Sequence, residues 1–231
     1  MTRNMEDGFL EPEKIVALFG IKKGDHIADF GAGHGYFTIP LARAAGGDGR
    51  VYAIDIQKPT LDIIRAKAGA EHLLNLEYIW ADLDMPAGSH LKDKFCDFVL
   101  IADILFQAED KRAVAQEAYR VLVPGGRLAM VEWNAALPTL SGVERMAPLG
   151  QQAEQGSRIS MAHRSIDQSS DSGGMDSIRF PGGELGAGFG PPAQVRIKKE
   201  DARAAALQAG FQFMSEFSAG SHHYGLLFIK K

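Results

Sequence analysis

The chain has 231 residues, 45% hydrophobic and 23% charged, which is ordinary usage for a folded protein and supplies enough apolar material for a buried core. A single cysteine, Cys96, excludes a disulfide framework, and no Cys/His grouping has zinc-finger spacing, so no metal is expected. The net charge of −4 offers nothing that would draw a phosphate backbone or an anionic membrane face.

The chain then reads in order. A short helix is predicted over 11–19, with apolar Ile15, Val16, Leu18 and Phe19 and a stop at Gly20. Five short strands are predicted over 26–30, 51–55, 76–80, 95–101 and 127–131, each bounded by Gly, Asp or Pro and rich in β-branched or aromatic residues. Helical periodicity lies between them, most clearly over 111–122, where Val114, Ala118, Val121 and Leu122 make one apolar stripe. Val123-Pro124-Gly125-Gly126 reads as the breaker that ends this helix. The most apolar run, Phe98 to Phe106, is nine residues long and carries Asp103, whereas a bilayer span takes about 20 residues. The first eight residues lack the apolar core of a secretory signal. A soluble, cytoplasmic protein with no nucleic-acid partner and no membrane span is therefore expected.

Between Ala135 and Val195 the pattern breaks, with 10 of the 26 glycines and 5 of the 10 prolines. This composition fits either a functional lid or a disordered insertion, at about 135–192 of a single domain. Scattered apolar residues such as Leu149, Ile159 and Phe180 exceed what a pure linker needs, and 141–155 can make a short helix, so a partly ordered lid is expected. Order resumes with a helix over 199–209 capped by Gly210. Strands over 211–217 and 224–230, joined by the turn Ala219-Gly-Ser-His-His223, make an antiparallel hairpin. Strands alternating with helices argue for an α/β fold with a mostly parallel sheet covered on both faces.

The chemistry concentrates in Ile27-Ala-Asp29-Phe-Gly31-Ala-Gly33-His-Gly35-Tyr-Phe-Thr, which follows a strand and opens a helix. Gly31 turns the chain off the strand, while Gly33 and Gly35 let a ligand lie against bare backbone. Asp55 ends the second strand, where a carboxylate can accept both hydroxyls of a ribose. A glycine loop of this kind also fits nicotinamide cofactors. Against that, Tyr36 stands where the dinucleotide fingerprint has its third glycine. Asp29 would repel a pyrophosphate but suits a ligand with a cationic amino group. A third acid, Asp82, follows the third strand and can take a hydrogen bond from an adenine amino group.

This layout resembles the class I S-adenosylmethionine-dependent methyltransferases. The matching pieces are Asp29-Phe-Gly-Ala-Gly-His-Gly35, Asp55, Ala81-Asp82, the strand Cys96-Asp-Phe-Val-Leu-Ile101 and Leu122-Val-Pro-Gly-Gly-Arg-Leu128, in that order. Glu11-Pro-Glu-Lys-Ile15, Val131-Glu-Trp133 and Gly190-Pro-Pro192 before Ala209-Gly-Phe211 are similar to the small-molecule branch related to ubiquinone/menaquinone-biosynthesis methyltransferases. The resemblance implies a Rossmann-like, seven-stranded sheet in the order 3-2-1-4-5-7-6 with an antiparallel last strand. It implies S-adenosyl-L-methionine as cofactor, held by Asp29, Gly31, Ala32, Gly33, His34 and Gly35 of the loop. Asp55 with Ile56, and Asp82 with Leu83, complete that site. The methyl acceptor is then a small molecule. The same fold can also serve as a non-catalytic cofactor-binding module.

Other residues admit two readings each. Asp103, after the fourth strand, either orients a nucleophile and removes its proton, as the catalytic candidate, or merely begins the next helix. Glu132 and Trp133 read as core, with Trp133 able to wall an apolar substrate. His222 and His223 sit in a turn and lack a second ligand pair for a metal. Cys96 reads as a small buried hydrophobe. The pairs Lys22-Lys23, Lys198-Lys199 and Lys230-Lys231 read as solvated.

Overall fold

The computed structural model describes residues 10–135, 140–141 and 188–231. The chain divides into two compact units, Met1–Pro138 with Pro191–Lys231, and Thr139–Gly190. In the second unit the described strands are Leu140–Ser141 and Gly188–Phe189, paired antiparallel. The helix expected over 141–155 and most of the lid expected over 135–192 lie outside the described residues.

The first unit holds seven strands of one sheet. They are β1 (His26–Phe30), β2 (Arg50–Asp55), β3 (Leu76–Trp80), β4 (Cys96–Ala102), β5 (Leu122–Trp133), β6 (Gln212–Ser218) and β7 (His223–Ile229). Their order across the sheet is β3-β2-β1-β4-β5-β7-β6, and the first five are mutually parallel. β7 is antiparallel to both β5 and β6, because the turn between β6 and β7 is too short for a crossover. The helices are α1 (Pro12–Leu18), α2 (Thr38–Ala45), α3 (Lys58–Ala70), α4 (Lys111–Val121) and α5 (Lys199–Ala209).

Alternation along each strand builds two cores. Ala28, Phe30, Ile54, Val99, Ile101, Leu128 and Met130 pack with Val114 and Ala118 of α4 and Ala202 and Ala206 of α5. Ile27, Val51, Ala53, Phe98, Leu100, Ala129 and Val131 pack with the apolar faces of α1, α2 and α3 on the other side. A parallel sheet buried on both faces needs apolar residues at successive positions, which is why Phe98 to Ile101 is an unbroken apolar run. Local chemistry sets the helix ends. Asp110 caps α4 by accepting from the backbone N–H groups of Arg112 and Ala113. Gly210 ends α5 in the left-handed region at φ +106°.

Three sequence readings need correction. Val123-Pro124-Gly125-Gly126 ends α4 but lies inside β5, where Leu122 pairs with Cys96 before the register shifts. The Gly125 N–H donates to the Lys230 carbonyl, and the Lys230 N–H to the Gly126 carbonyl, so the bend is stitched to the end of β7. Lys230 is buried rather than solvated: its Nζ donates to the Tyr119 and Leu122 carbonyls at 2.6 and 2.7 Å, capping the C-terminus of α4. His223 is a buried strand residue paired with Trp133, not part of a turn.

Candidate active site

The carboxyl ends of β1 to β5 share one edge of the sheet, the edge at which parallel α/β proteins bind ligands. The antiparallel β7 begins at that same edge. The glycine loop leaves β1 with the Gly31 and Ala32 N–H groups both donating to the Ile54 carbonyl of β2 at 2.9 Å. The Gly33 N–H donates to Asp55 Oδ2 and the Gln57 N–H to Asp55 Oδ1, each at 2.8 Å. Asp55 thus ties the loop to the end of β2 while each oxygen retains one lone pair for a ligand.

The three glycines do different work. Each has positive φ, at +75°, +49° and +81° for Gly31, Gly33 and Gly35. A Cβ on Gly33 would meet nothing nearer than the Gly31 carbonyl oxygen at 4.0 Å, so its face is open. A Cβ on Gly31 would lie 2.1 Å from Ile104 Cγ2, and one on Gly35 would lie 3.0 Å from Ile64 Cγ1. Gly31 and Gly35 therefore admit neighbouring side chains of the protein, and bare backbone is offered at Gly33. His34 is exposed, and its carbonyl accepts from Lys67 Nζ at 2.8 Å.

Asp29 is 2% exposed, and its Oδ2 accepts from the Thr38 hydroxyl at 2.6 Å. Burial pushes its carboxyl up to about 7, opposed by the Thr38 hydrogen bond and assisted by the nearby charge of Asp55. Such a desolvated acid is a fitting partner for a cation. At the end of β3, the Asp84 N–H donates to Asp82 Oδ1 at 3.0 Å. Leu83 packs against the core, and Ile56 is exposed beside Trp80, whose indole N–H donates to the Ile56 carbonyl at 2.8 Å. The loop, Asp55 and Asp82 thus lie at the ends of three adjacent strands.

Asp103 follows β4 with φ +54°, uncommon for a residue with a side chain. Its N–H donates to the Val131 carbonyl at 2.9 Å. Its Oδ2 lies 3.4 Å from His223 Nε2; the Asp103 side chain is 29% exposed and that of His223 only 1%. Glu132 is fully buried, and its Oε1 accepts from the Ile104 and Leu105 N–H groups at 3.2 and 2.9 Å. Burial, with the negative charge of Asp103 adding to it, holds the Glu132 carboxyl well above the usual carboxylate range. The Trp133 ring stands 4.2 Å from that of His223, with the Arg196 guanidinium 5.2 Å from its centroid. Sequence reasoning noticed Glu132 and His223 but left them unconnected to Asp103. Only the strand order brings them together. Cys96 is buried, its thiol pushed up to about 12 by desolvation, which leaves it inert.

A methyltransferase-domain family model matches residues 28–130, the stretch that holds the loop, Asp55, Asp82 and Asp103. The demethylmenaquinone methyltransferase of a Geobacillus species is 30% identical over 135 residues, 58% of this chain and 55% of that protein. The ubiquinone/menaquinone biosynthesis C-methyltransferase of Francisella tularensis subsp. novicida is 29% identical over 134 residues, 57% of this chain and 52% of that one. The chain thus spans about half the length of the curated relatives it matches. Among solved structures, a SAM-dependent methyltransferase from Aquifex aeolicus shares the fold with a TM-score of 0.67 at 20% identity, over 96% of this chain and 91% of its own. Residues 28–130 are thus similar to a methyltransferase domain, and the surrounding stretch is similar in sequence to methyltransferases of ubiquinone and menaquinone biosynthesis.

Proposed function

We propose that this protein is an S-adenosylmethionine-dependent methyltransferase acting on a small-molecule acceptor. The observation that carries the reading is Asp29. A carboxyl buried to 2% exposure and pushed up to about 7 sits behind a loop whose only open glycine face is Gly33. A cationic amino group, as on the methionine portion of the cofactor, would return Asp29 to its charged form. Asp55 would take the ribose hydroxyls on its remaining lone pairs, with Ile56 beside the sugar. Asp82 and Leu83 would hold the adenine, and Ala32, His34 and the loop backbone would follow the chain between them. The bound cofactor supplies a methyl group on a sulfonium, and the sulfur keeps the bonding electron pair when the methyl leaves.

The protein's remaining task is to orient the acceptor and exclude water. Asp103 stands where it would take up the acceptor's proton, since its neighbour Ile104 fills the notch over Gly31 of the loop. The relatives' names make reduced demethylmenaquinone the first acceptor to try. We read 1–231 as a single methyltransferase domain carrying an insertion at about 135–192, working in the cytoplasm. Among the described residues, no helix is long and apolar enough to cross a membrane.

Titration calorimetry with S-adenosylhomocysteine, with NAD as comparator, tests the cofactor. Binding of the former in the micromolar range, with none of the latter, is expected. NAD binding in its place refutes the reading.

A further inference from the structure

The end of β4 holds more polar machinery than a helix start requires. Asp103 Oδ1 and Glu132 Oε2 are buried and have no hydrogen-bond partner among the described residues. Unsatisfied buried carboxyl oxygens are costly, and they persist in folded proteins chiefly where they serve a function. Two neighbouring carboxyl groups away from water do not both ionise, so one of them keeps a proton. Burial of Glu132 identifies it as the acid that stays neutral. The backbone at Asp103 is held in the left-handed region by the fold: Val131 takes its N–H, and Glu132 takes the next two. Such an over-determined, strained residue at a ligand edge is a mark of a working site.

We propose that Asp103 is the proton acceptor of the methyl-transfer site and that His223 and Glu132 are its positioning residues, His223 setting its ring 3.4 Å from Oδ2 through Nε2 and Glu132 clamping the loop that carries Asp103. The proposal rests on the methyltransferase reading and deepens it by naming the two residues through which Asp103 acts. In the step itself, the acceptor's O–H bond breaks, its electron pair stays on the acceptor oxygen, and the proton passes to Asp103. The oxyanion makes the adjacent ring carbon nucleophilic, and a bond forms from that carbon to the methyl carbon as the S–CH3 bond breaks with its electron pair left on sulfur. The ring carbon's own proton then moves to the oxygen and restores the hydroquinone, while the first proton stays on Asp103. It returns to water after the product leaves. The acceptor must therefore carry a hydroxyl that loses its proton, which a hydroquinone does and a tertiary amine or thioether does not.

The division of labour follows from exposure. Asp103, at 29%, can reach an acceptor, whereas His223, at 1%, cannot. The other charged or titratable groups that act on this cluster are Lys111 at the start of α4, Glu200 and Asp201 in α5, and Tyr224 in β7. Arg196 lies over Trp133, with its Nε on the Pro191 carbonyl and its Nη1 on the Asn134 carbonyl. The Tyr224 hydroxyl donates to the Ile197 carbonyl at 3.1 Å, so it is engaged elsewhere.

The test uses the full chain saturated with S-adenosylhomocysteine and labelled with ¹⁵N-histidine. His223 should show a slowly exchanging ring N–H, identified by its absence in His223→Gln and lost in Asp103→Asn. A ring signal unchanged in Asp103→Asn overturns the pairing. Turnover with reduced demethylmenaquinone is then followed. Asp103→Asn should lower kcat by about a hundredfold or more, within the range of lost general-base catalysis, leaving S-adenosylhomocysteine affinity within about twofold. His223→Gln should lower kcat by roughly tenfold while leaving KM within about twofold, because the carboxylate loses the ring that orients it without losing contact with the acceptor. Glu132→Gln, which keeps the clamp on the Ile104 and Leu105 N–H groups, should hold kcat within about threefold, whereas Glu132→Ala should lower it like Asp103→Asn. An unchanged kcat in His223→Gln, or a loss carried by KM instead, overturns the positioning role. A loss of S-adenosylhomocysteine affinity in Asp103→Asn reassigns that residue to the cofactor pocket and also overturns the proposal. Failure of the wild type to bind S-adenosylhomocysteine at all strikes the underlying methyltransferase reading instead.

Discussion

Replacing Asp29 by Asn separates the stability of this protein from its ligand affinity. Burial moves the Asp29 carboxyl from 3.8 to about 7, about three pH units, and each unit is worth about 1.4 kcal/mol. The folded state thus binds a proton that the unfolded chain releases, so stability falls as pH rises from about 4 to 7 and the loss is complete above 7. The integrated cost of the ionised form is about 4 kcal/mol in the free protein. Asn is nearly isosteric and still accepts from the Thr38 hydroxyl, but it cannot ionise. Asp29→Asn should therefore match the wild type near pH 4 and exceed it at pH 8 by as much as about 4 kcal/mol. For a chain of this size that is a melting temperature roughly 10 °C higher. Scanning calorimetry at both pH values measures the difference. The same variant should bind S-adenosylhomocysteine at least about tenfold more weakly at pH 8, having lost the carboxylate that meets the amino group. In the wild type that affinity should decline as pH drops below about 7, where Asp29 takes up its proton. Parallel stability-versus-pH curves for the two proteins would refute the argument.

Asp55→Ala strands the Gly33 and Gln57 N–H groups and removes the ribose partner, so calorimetry should show S-adenosylhomocysteine affinity down by about tenfold or more. Gly31→Ala drives a Cβ to 2.1 Å from Ile104 Cγ2 at a φ of +75°, and urea titration should show a loss of about 2–4 kcal/mol. Adding Ile104→Ala should recover the overpacking part of that loss and leave the backbone strain. Burial raises the Glu117 carboxyl, but hydrogen bonds from Arg120 and Ser89 outweigh it and hold the group below 4.5. Its stabilisation is thus present above that pH and disappears as pH falls through the lowered value. Glu117→Gln should accordingly cost about 1–2 kcal/mol at pH 7, with the two denaturation curves converging under strong acid.

Sequence alone determined what depends on local spacing. The five parallel strands announced themselves through short apolar runs bounded by Gly, Asp and Pro, and α5 fell between Lys199 and Ala209 as read. The glycine loop and the acids at positions 29, 55 and 82 followed from residue type and order, and the family resemblance added the strand order. Tertiary structure decided every feature that depends on residues distant in the chain. Sequence cannot show that Ile104 and Ile64 occupy the spaces left by Gly31 and Gly35, because a missing Cβ has the same appearance whether a ligand or a side chain fills the gap. It cannot show that Lys230 caps α4, since lysine is ordinarily solvated and only pairing of β7 with β5 carries it to the Tyr119 and Leu122 carbonyls. The protonation of Asp29 arises from burial, a property of the packed fold and not of the residue. Asp103, Glu132 and His223 meet for the same reason. The antiparallel β7 starts at the edge where β4 and β5 end, and that register brings a histidine from a presumed turn to 3.4 Å from a strand-end carboxylate.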